Sequence, residues 1–242
     1  MFLNDASELY YGRDLLNQVV HEFPSGRVTS RSKIVLHAAP PPNAISIGVF
    51  SLSEVGDDLS QWHGYAKQGG YALGFTPEAL RGLRKAGGRL RPVIYDRQLQ
   101  RRLARECITM LRARIGRTSN NEWTHQRLMH EAGHFGVMAT LATIRTKHPQ
   151  FASEREWRIT TTIGRDDLRF RASSQGLVPY GVVSFEGERI VLEGLRIKAG
   201  PTAKPFLAAH AADLLLWQAL GPNRNKKPLV RVSMSEVPYR DW

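Results

Sequence analysis

His130 and His134 have the spacing that most closely matches a known metal site. They enclose Glu131 in the sequence His-Glu-Ala-Gly-His. On a helix both histidines would lie on one face, with the glutamate beside them as a general base. Glu154, further along the chain, would be the third zinc ligand. The pattern predicts a zinc-dependent hydrolase, and the alternative is a histidine pair without metal on a helix that Gly133 weakens.

A second group of candidate residues comprises Glu154, Glu156 and Arg158. If this segment is a strand, Glu156 and Arg158 share one face and Trp157 points to the other. Two acids at alternate positions that face a pocket are typical of enzymes that stabilise an oxocarbenium-like sugar transition state. The alternative is a salt-bridged strand edge with a tryptophan in the core.

The polar residues between positions 50 and 75 form a third candidate. We expect an apolar strand, a polar turn, a short helix near residues 57–65, a glycine turn and a second strand. Such a polar segment between two core strands is a common place for a pocket. In the alternative, Asp57 caps the helix, and Trp62 and Tyr65 lie in the core. The pocket residues would be Ser51, Ser53, Asp57, Asp58, Ser60, Gln61, Trp62 and Tyr65.

Composition narrows the classes of protein to consider. The chain has 242 residues and a formal net charge of +12, which favours an anionic partner such as nucleic acid or a nucleotide. The alternative is an arginine-rich composition on solvated faces. Cys107 is the only cysteine, so an internal disulfide is excluded. This cysteine usage and an N-terminus without a secretory signal predict a cytoplasmic protein, and no apolar run is long enough to span a membrane.

The pattern of apolar residues predicts that strands and helices are segregated along the chain. Residues 22–43 are interpreted as a polar connection. Segregation favours a single α+β domain over residues 1–242, with a mostly antiparallel sheet, flanking helices and an inserted helical pair at about 97–147. Helices are predicted at 4–21, 76–86, 97–115, 122–147 and 205–220, and further strands at 91–95, 156–163, 168–172, 178–185, 189–198 and 228–233.

Several segments, in this order, resemble the bacterial family called domain of unknown function 2971, and they are spread over most of the chain. Members of that family usually begin upstream with a strand resembling His-Tyr-Thr and a short helix. This sequence starts at the following Asn-Asp element, so either its start is misassigned or it is a naturally shortened member that lacks the strand. The matching segments are Leu3-Asn4-Asp5 with Glu8, residues 50–53 with Asp58, Trp62 and Tyr65, residues 70–75, residues 147–151 with residues 154–158, residues 178–180 and residues 238–240.

The resemblance also implies a more distant similarity to ADP-ribosyltransferase-like folds. In that analogy Ser51 or Ser53 would lie beside the nicotinamide ribose of NAD, the implied cofactor. Glu154 or Glu156 would then stabilise the oxocarbenium-like state. The remaining ligand-binding residues would be Asp58, Trp62, Tyr65, Arg158 and Tyr180.

Three functional hypotheses follow. The leading one is a nucleotide- or NAD-binding domain that transfers ADP-ribose to protein or nucleic acid. The second is a non-catalytic nucleic-acid-binding or phage-defence module, which would bind DNA or RNA in a salt-sensitive way. The third is the zinc-dependent hydrolase, for which zinc would be the cofactor.

Overall fold

The computed structural model describes residues 7–40, 47–66, 69–85, 88–173, 176–182, 194–220 and 230–238. Its α-helices are α1 (Ser7–His21), α2 (Arg27–Ala38), α3 (Leu59–Tyr65), α4 (Pro77–Lys85), α5 (Arg97–Arg117), α6 (His125–Thr143) and α7 (Pro205–Leu220). Its strands are β1 (Ile47–Ser53), β2 (Tyr71–Phe75), β3 (Arg89–Pro92), β4 (Glu156–Thr162), β5 (Arg169–Ser173), β6 (Gly176–Tyr180), β7 (Leu195–Ala199) and β8 (Arg231–Met234).

The strands form small sheets flanked by helices, so the predicted α+β class is confirmed. In the described residues, one sheet has the order β1-β4-β3, a second has the order β2-β7-β8, and β5 pairs only with β6. The β2–β7 and β5–β6 pairs are antiparallel, whereas β7 and β8 run parallel. Among the described residues, no helix is long and apolar enough to cross a membrane.

The chain divides into two compact units. The first contains Met1–Leu52 and Arg91–Val182, and the second contains Ser53–Leu90 and Val183–Trp242. The prediction of one domain over residues 1–242 stays a prediction. The predicted strand at 189–198 is described only from Leu195, and the part of the 178–185 prediction beyond residue 182 lies outside the described residues.

Helices α1, α2, α5 and α6 build the main core of the first unit. On α5, the predicted apolar residues Cys107, Leu111 and Ile115 are buried, whereas Leu99 and Met110, predicted on the same side, are about half exposed. Asp96 caps this helix by accepting a hydrogen bond from the Leu99 N–H at 2.8 Å. The predicted helical pair is therefore present and contributes much of this core, while its status as an insertion stays a prediction.

Helix α2 contradicts the prediction of a polar connection after the first helix. Its inward side carries Thr29 and Ser32 as well as Val35 and Leu36, so hydroxyl groups interrupt the apolar pattern. Both hydroxyls are satisfied locally, since Thr29 donates to the Pro24 carbonyl and Ser32 to the Val28 carbonyl, each at 2.7 Å. A residue that bonds its own helix backbone can be buried without an apolar side chain.

The second unit has a smaller core between α7 and its sheet. Ile197 of β7, Ala212 of α7 and Val230 are buried together, with Leu216 packed against them. The β2–β7 register pairs Tyr71 with Ala199. This sheet and the short helix α3 position the polar residues of the 50–75 segment that follow Leu52.

Candidate functional site

Five charged side chains of the first unit meet in what we call the ion cluster. They come from α1, the segment after α6, the end of a 3-10 turn at Pro149–Glu154, and β4. The residue on α1 is far in sequence from the other four, which lie between positions 147 and 158, so only the folded unit assembles the whole group. The ion cluster consists of Glu8, Lys147, Glu154, Glu156 and Arg158.

Arg158 holds the buried side of the ion cluster together. Its guanidinium binds Glu156 in a bidentate way, with Nε 2.7 Å from Oε1 and Nη2 2.8 Å from Oε2. Nη2 also donates to Glu8 at 2.6 Å, and Nη1 donates to the Ile144 carbonyl at 2.7 Å. With only 2% of its surface exposed, this side chain depends on these partners to compensate for its lost hydration.

Lys147 lies at the centre of the three carboxylates. Its Nζ is 2.9 Å from Glu8, 2.5 Å from Glu154 and 3.2 Å from Glu156. The backbone of the lysine is fixed as well, since Gln100 Nε2 donates to its carbonyl at 2.7 Å. The position of the Lys147 ammonium group is thus set by the backbone contact and by the three carboxylates.

Arg155 explains how Glu154 and Glu156 both reach Lys147. The sequence interpretation places the two acids on one strand, but Glu154 ends the 3-10 turn and only Glu156 belongs to β4. Between them Arg155 adopts the left-handed backbone conformation, with φ 43° and ψ 51°. Residues other than glycine adopt it rarely, so this turn carries backbone strain.

The charges shift the protonation equilibria in consistent directions. Burial alone would raise the pKa of Glu156, but Arg158, the Ser51 hydroxyl and Lys147 hold that pKa below its ordinary value. Burial would lower the pKa of Lys147, yet its carboxylate partners hold it above the ordinary range. Glu156 and Lys147 therefore both stay charged at neutral pH.

Two hydroxyl groups adjoin the Glu156 side of the cluster. The exposed Ser51 on β1 donates a hydrogen bond to the Glu156 carboxylate. The Tyr95 hydroxyl accepts one from the Glu156 N–H at 3.0 Å. Burial is the main cause that raises the pKa of Tyr95, and it stays protonated near neutral pH. An exposed serine on a buried ion network gives a ligand polar contact from the solvent side.

Sequence reasoning assigns no chemical role to Glu8, Lys147 or Tyr95. Glu8 and Lys147 occur in the segments that resemble the family, which is the only signal that singles them out. Glu8 contacts Arg158 across 150 positions in sequence, and Lys147 contacts Glu156 across nine, so neither pair lies within one helix or strand pattern. The four predicted residues that the structure places together in the first unit are Ser51, Glu154, Glu156 and Arg158.

The other predicted pocket residues of the 50–75 segment belong to the second unit. Asp58, rather than Asp57, caps α3 by accepting from the Gln61 N–H at 3.1 Å. Trp62 is buried and Tyr65 is exposed, so the alternative that puts both in the core is wrong for Tyr65. Ser53 accepts a hydrogen bond from the Val55 N–H at 3.1 Å. A ligand-binding role for these residues stays a prediction.

Asp57 organises the second unit around one carboxylate. It accepts hydrogen bonds from Trp62 Nε1 at 2.8 Å, Lys198 Nζ at 3.1 Å, Ser235 Oγ at 2.5 Å and the Glu236 N–H at 2.8 Å. Burial would raise its pKa, but these donors lower it to about 2. The residue joins the end of β7 and the segment after β8 to α3, which is a structural role.

The histidine pair lies on α6, with both rings exposed. Glu131 between them is buried and forms ion pairs with Arg114 at 2.8 Å and Arg127 at 3.0 Å, which occupy the carboxylate that would act as the base. Glu154, the predicted third ligand, pairs with Lys147. Among the described residues, no group of three or more His, Cys, Asp or Glu side chains is arranged to hold a metal ion. No observation favours the zinc hydrolase.

Tyr180 lies away from these contacts along the chain, on the two-stranded ribbon of β5 and β6. Its backbone pairs with that of Arg169 in the antiparallel register. All of β5 is exposed, and Tyr180 is more than one-third exposed. Its predicted role in ligand binding stays a prediction.

Comparison with known protein families matches residues 61–159 to the family described as Protein of unknown function (DUF2971). The matched region includes four members of the ion cluster and Trp62, while Glu8 and Ser51 precede it. No curated protein and no solved structure matches the chain. Over residues 61–159 the chain is therefore similar to this family, as its sequence segments predict.

Proposed function

We propose that this chain binds a nucleotide or NAD-like ligand beside the ion cluster and transfers ADP-ribose from NAD to a protein or a nucleic acid. The observation that carries the proposal is the convergence of Ser51, Glu154 and Glu156 on one group of charges. Strands β1 and β4, which hold Ser51 and Glu156, are neighbours in one sheet. A serine strand beside a glutamate strand is the arrangement that the similarity to ADP-ribosyltransferase-like folds implies.

The carboxylates of the ion cluster suit the transfer of ADP-ribose. Transfer breaks the N-glycosidic bond of NAD, and nicotinamide leaves with the bonding electrons. A nucleophile of the acceptor then bonds to C1′ of the ribose and releases its proton. The ribose carries positive charge in the transition state, and a carboxylate held close to it lowers the barrier. The carboxylate of Glu154 or Glu156 would serve this purpose.

The two glutamates are suited to different roles. Glu156 accepts both hydrogen bonds of the Arg158 fork, and 9% of its side chain is exposed. Glu154 has 17% of its side chain exposed and contacts Lys147 rather than Arg158. We therefore assign Glu154 to the ribose and Glu156 to positioning Ser51 and Lys147.

Ligand binding is tested first, by thermal unfolding of the whole chain with millimolar NAD or ADP-ribose. A ligand that binds only the folded state raises the melting temperature. We expect a rise in the wild type and in Glu106→Gln, whose exposed carboxylate pairs with Arg102 on α5 and is not a member of the ion cluster. Absence of a shift in the wild type would overturn the proposal.

Transfer is tested with isotope-labelled NAD and a mixture of protein and nucleic-acid acceptors. We expect label to appear on an acceptor or on the chain itself, and Glu154→Gln to reduce it at least about a hundredfold, since one electrostatic group contributes about that much. Glu106→Gln should label normally. Binding of NAD without any transfer would retain the ligand site and refute the transferase activity.

A second candidate function, the nucleic-acid-binding or phage-defence module, is favoured by the β5–β6 ribbon. In the described part of the chain, Arg169 and Arg171 are exposed, lie on one side of β5 and have no acidic partner. Phe170 is exposed on the opposite side. A two-stranded ribbon of this kind fits the major groove of DNA, and free guanidinium groups bind phosphates.

This candidate predicts binding to DNA or RNA that weakens steeply with salt. Arg169→Glu should weaken it roughly tenfold or more, because a phosphate contact is replaced by a repulsive charge. The matched control is Arg81→Glu, an equal change of charge on exposed α4 of the second unit. Equal effects of the two variants would show that only net charge matters and would remove the ribbon from consideration.

A further inference from the structure

Helix α7 of the second unit exposes more large apolar side chains than its packing explains. One side is accounted for, since Ala212 is buried against Ile197 and Val230. On the remaining surface, 76% of Phe206 and 61% of Trp217 are exposed. A helix that is apolar all round is normally buried on all sides. The other exposed large residues of α7 are Leu207, Leu214 and Leu215.

Four exposed residues of α7 form a stripe with the spacing of a coiled-coil seam. Phe206, His210, Asp213 and Trp217 follow one another at intervals of four, three and four residues. Such spacing brings side chains onto one face of a helix, where they meet the same stripe of a second helix. We call these four residues the α7 seam. It carries an aromatic residue at each end, with a histidine and an aspartate between them.

The α7 seam is complementary to itself when two copies run antiparallel. In an antiparallel pair with its twofold axis between Ala211 and Ala212, each residue faces the one equally far on the other side of that axis. Phe206 then faces Trp217 of the second copy, and His210 faces Asp213 of the second copy. One position of the axis therefore matches the aromatic pair and the polar pair together. A single axis is what an isologous dimer interface requires.

We propose that the chain forms a twofold symmetric dimer through the α7 seam, with the two α7 helices antiparallel. The proposal does not rest on the chemistry of the ion cluster, which lies in the other unit. Burying two Phe–Trp pairs supplies the apolar core of the contact, since aromatic residues dominate such interfaces. The His–Asp pairs fix the register and disfavour a parallel arrangement, in which like residues would face each other.

The first test is the molar mass of the full chain by light scattering coupled to size-exclusion chromatography, from low to high micromolar concentration. We expect a dimer for the wild type and a monomer for Trp217→Glu, because the charge would be buried in the interface. Leu215→Glu is the matched control: it places the same charge on the same helix, at an exposed position outside the seam. It should remain dimeric. The melting temperature of each variant shows whether it is folded.

The second test separates the proposed register from general stickiness. His210→Asp puts an acid opposite Asp213 of the second copy and should weaken the dimer roughly tenfold by repulsion. Adding Asp213→Arg restores opposite charges across the axis and should recover the wild-type affinity. Sedimentation velocity over a dilution series measures both dissociation constants.

Each outcome bears on the proposal. Recovery in the double variant supports the antiparallel seam. A wild-type chain that is monomeric at every concentration overturns it, whatever other molecule binds α7. A dimer that is insensitive both to Trp217→Glu and to the charge changes would show that the copies associate elsewhere, which also overturns it.

Discussion

In the first unit, five charged side chains from four chain segments share the ion cluster, whereas in the second unit a single carboxylate, Asp57, meets four donors. Asp57 accepts from four donors, and none of these four donors is an acidic side chain. In the ion cluster, three carboxylates contact the same two cations. The Asp57 site stabilises the fold at low cost, whereas the ion cluster removes several charges from water at once.

The comparison between the Asp57 site and the ion cluster favours the ion cluster as the candidate functional site. A carboxylate bound by neutral donors and one lysine has a simple structural purpose, since it joins three segments. A cluster of several buried charges has a larger desolvation cost, and ionisable groups with shifted pKa values collect at functional sites. The distinction is testable, because it predicts different responses to removing one partner.

The largest effect is expected for Arg158→Met. The variant keeps most of the side-chain volume but leaves Glu8 and Glu156 buried without their guanidinium, so it should destabilise the chain by about 3–5 kcal/mol. Urea unfolding followed by circular dichroism measures this. Adding Glu156→Gln removes one of the stranded charges, and the double variant should be the more stable of the two. A single variant within about 0.5 kcal/mol of the wild type would contradict the structural role assigned to Arg158.

Asp57→Asn is expected to have the next largest effect. The pKa of Asp57 is lowered from 3.8 to about 2 on folding, so its ionised form stabilises the folded state above pH 3.8. That contribution, about 2 kcal/mol, is lost as the pH falls through the range between these two values. The asparagine variant should lack it at neutral pH and should lose less stability on acidification.

The adjacent Asp58→Asn is the matched control for Asp57. Asp58 caps α3, and asparagine caps helices about as well as aspartate, so its stability should change by less than about 0.5 kcal/mol. Acid titration of urea midpoints for both variants measures the comparison. Equal losses at the two positions would refute the view that Asp57, rather than Asp58, organises the second unit.

Sequence patterns predict well what depends on local spacing. The helices α3 and α5 and the α+β class are visible because each follows from local residue patterns. Helix α2 is not predicted, because its buried Thr29 and Ser32 give it the composition of a polar connection. Their hydroxyls are satisfied by the carbonyls of Pro24, just before the helix, and Val28, within it.

The candidate site is predictable only in part for a similar reason. Glu154, Glu156 and Arg158 are close in sequence and attract attention as a group, and Ser51 follows from the family resemblance. Glu8 and Lys147 complete the charge balance only after folding, when α1 and the segment after α6 approach β4. Asp57 and Asp58 are hard to distinguish for the same reason, since adjacent acids look alike in sequence. The contacts of Asp57 with residues 198 and 235–236 form only on folding, and they decide its role.

The smallest effects on stability are expected from replacing the serine at each site. Asp57 and Glu156 each accept a hydrogen bond from one serine, so the two replacements can be compared directly. Ser235 is half-buried and donates to Asp57 at 2.5 Å, so Ser235→Ala should destabilise the chain by about 1–2 kcal/mol. Ser51 is exposed and donates to Glu156, whose remaining partners stay in place, so Ser51→Ala should destabilise it by less than about 1 kcal/mol.

For ligand response the order of the two serines should reverse. Ser51 lies where the proposed ligand contacts the ion cluster, so its alanine variant should reduce the NAD-dependent rise in melting temperature while barely changing stability. Ser235→Ala should reduce stability and keep the full ligand-dependent rise. Thermal unfolding of both variants with and without NAD gives all four numbers in one experiment. For each variant, the loss of stability is compared with the loss of the NAD-dependent rise in melting temperature. If the ratio of these two losses is the same for Ser51→Ala and Ser235→Ala, the ion cluster is a structural site of the same kind as Asp57.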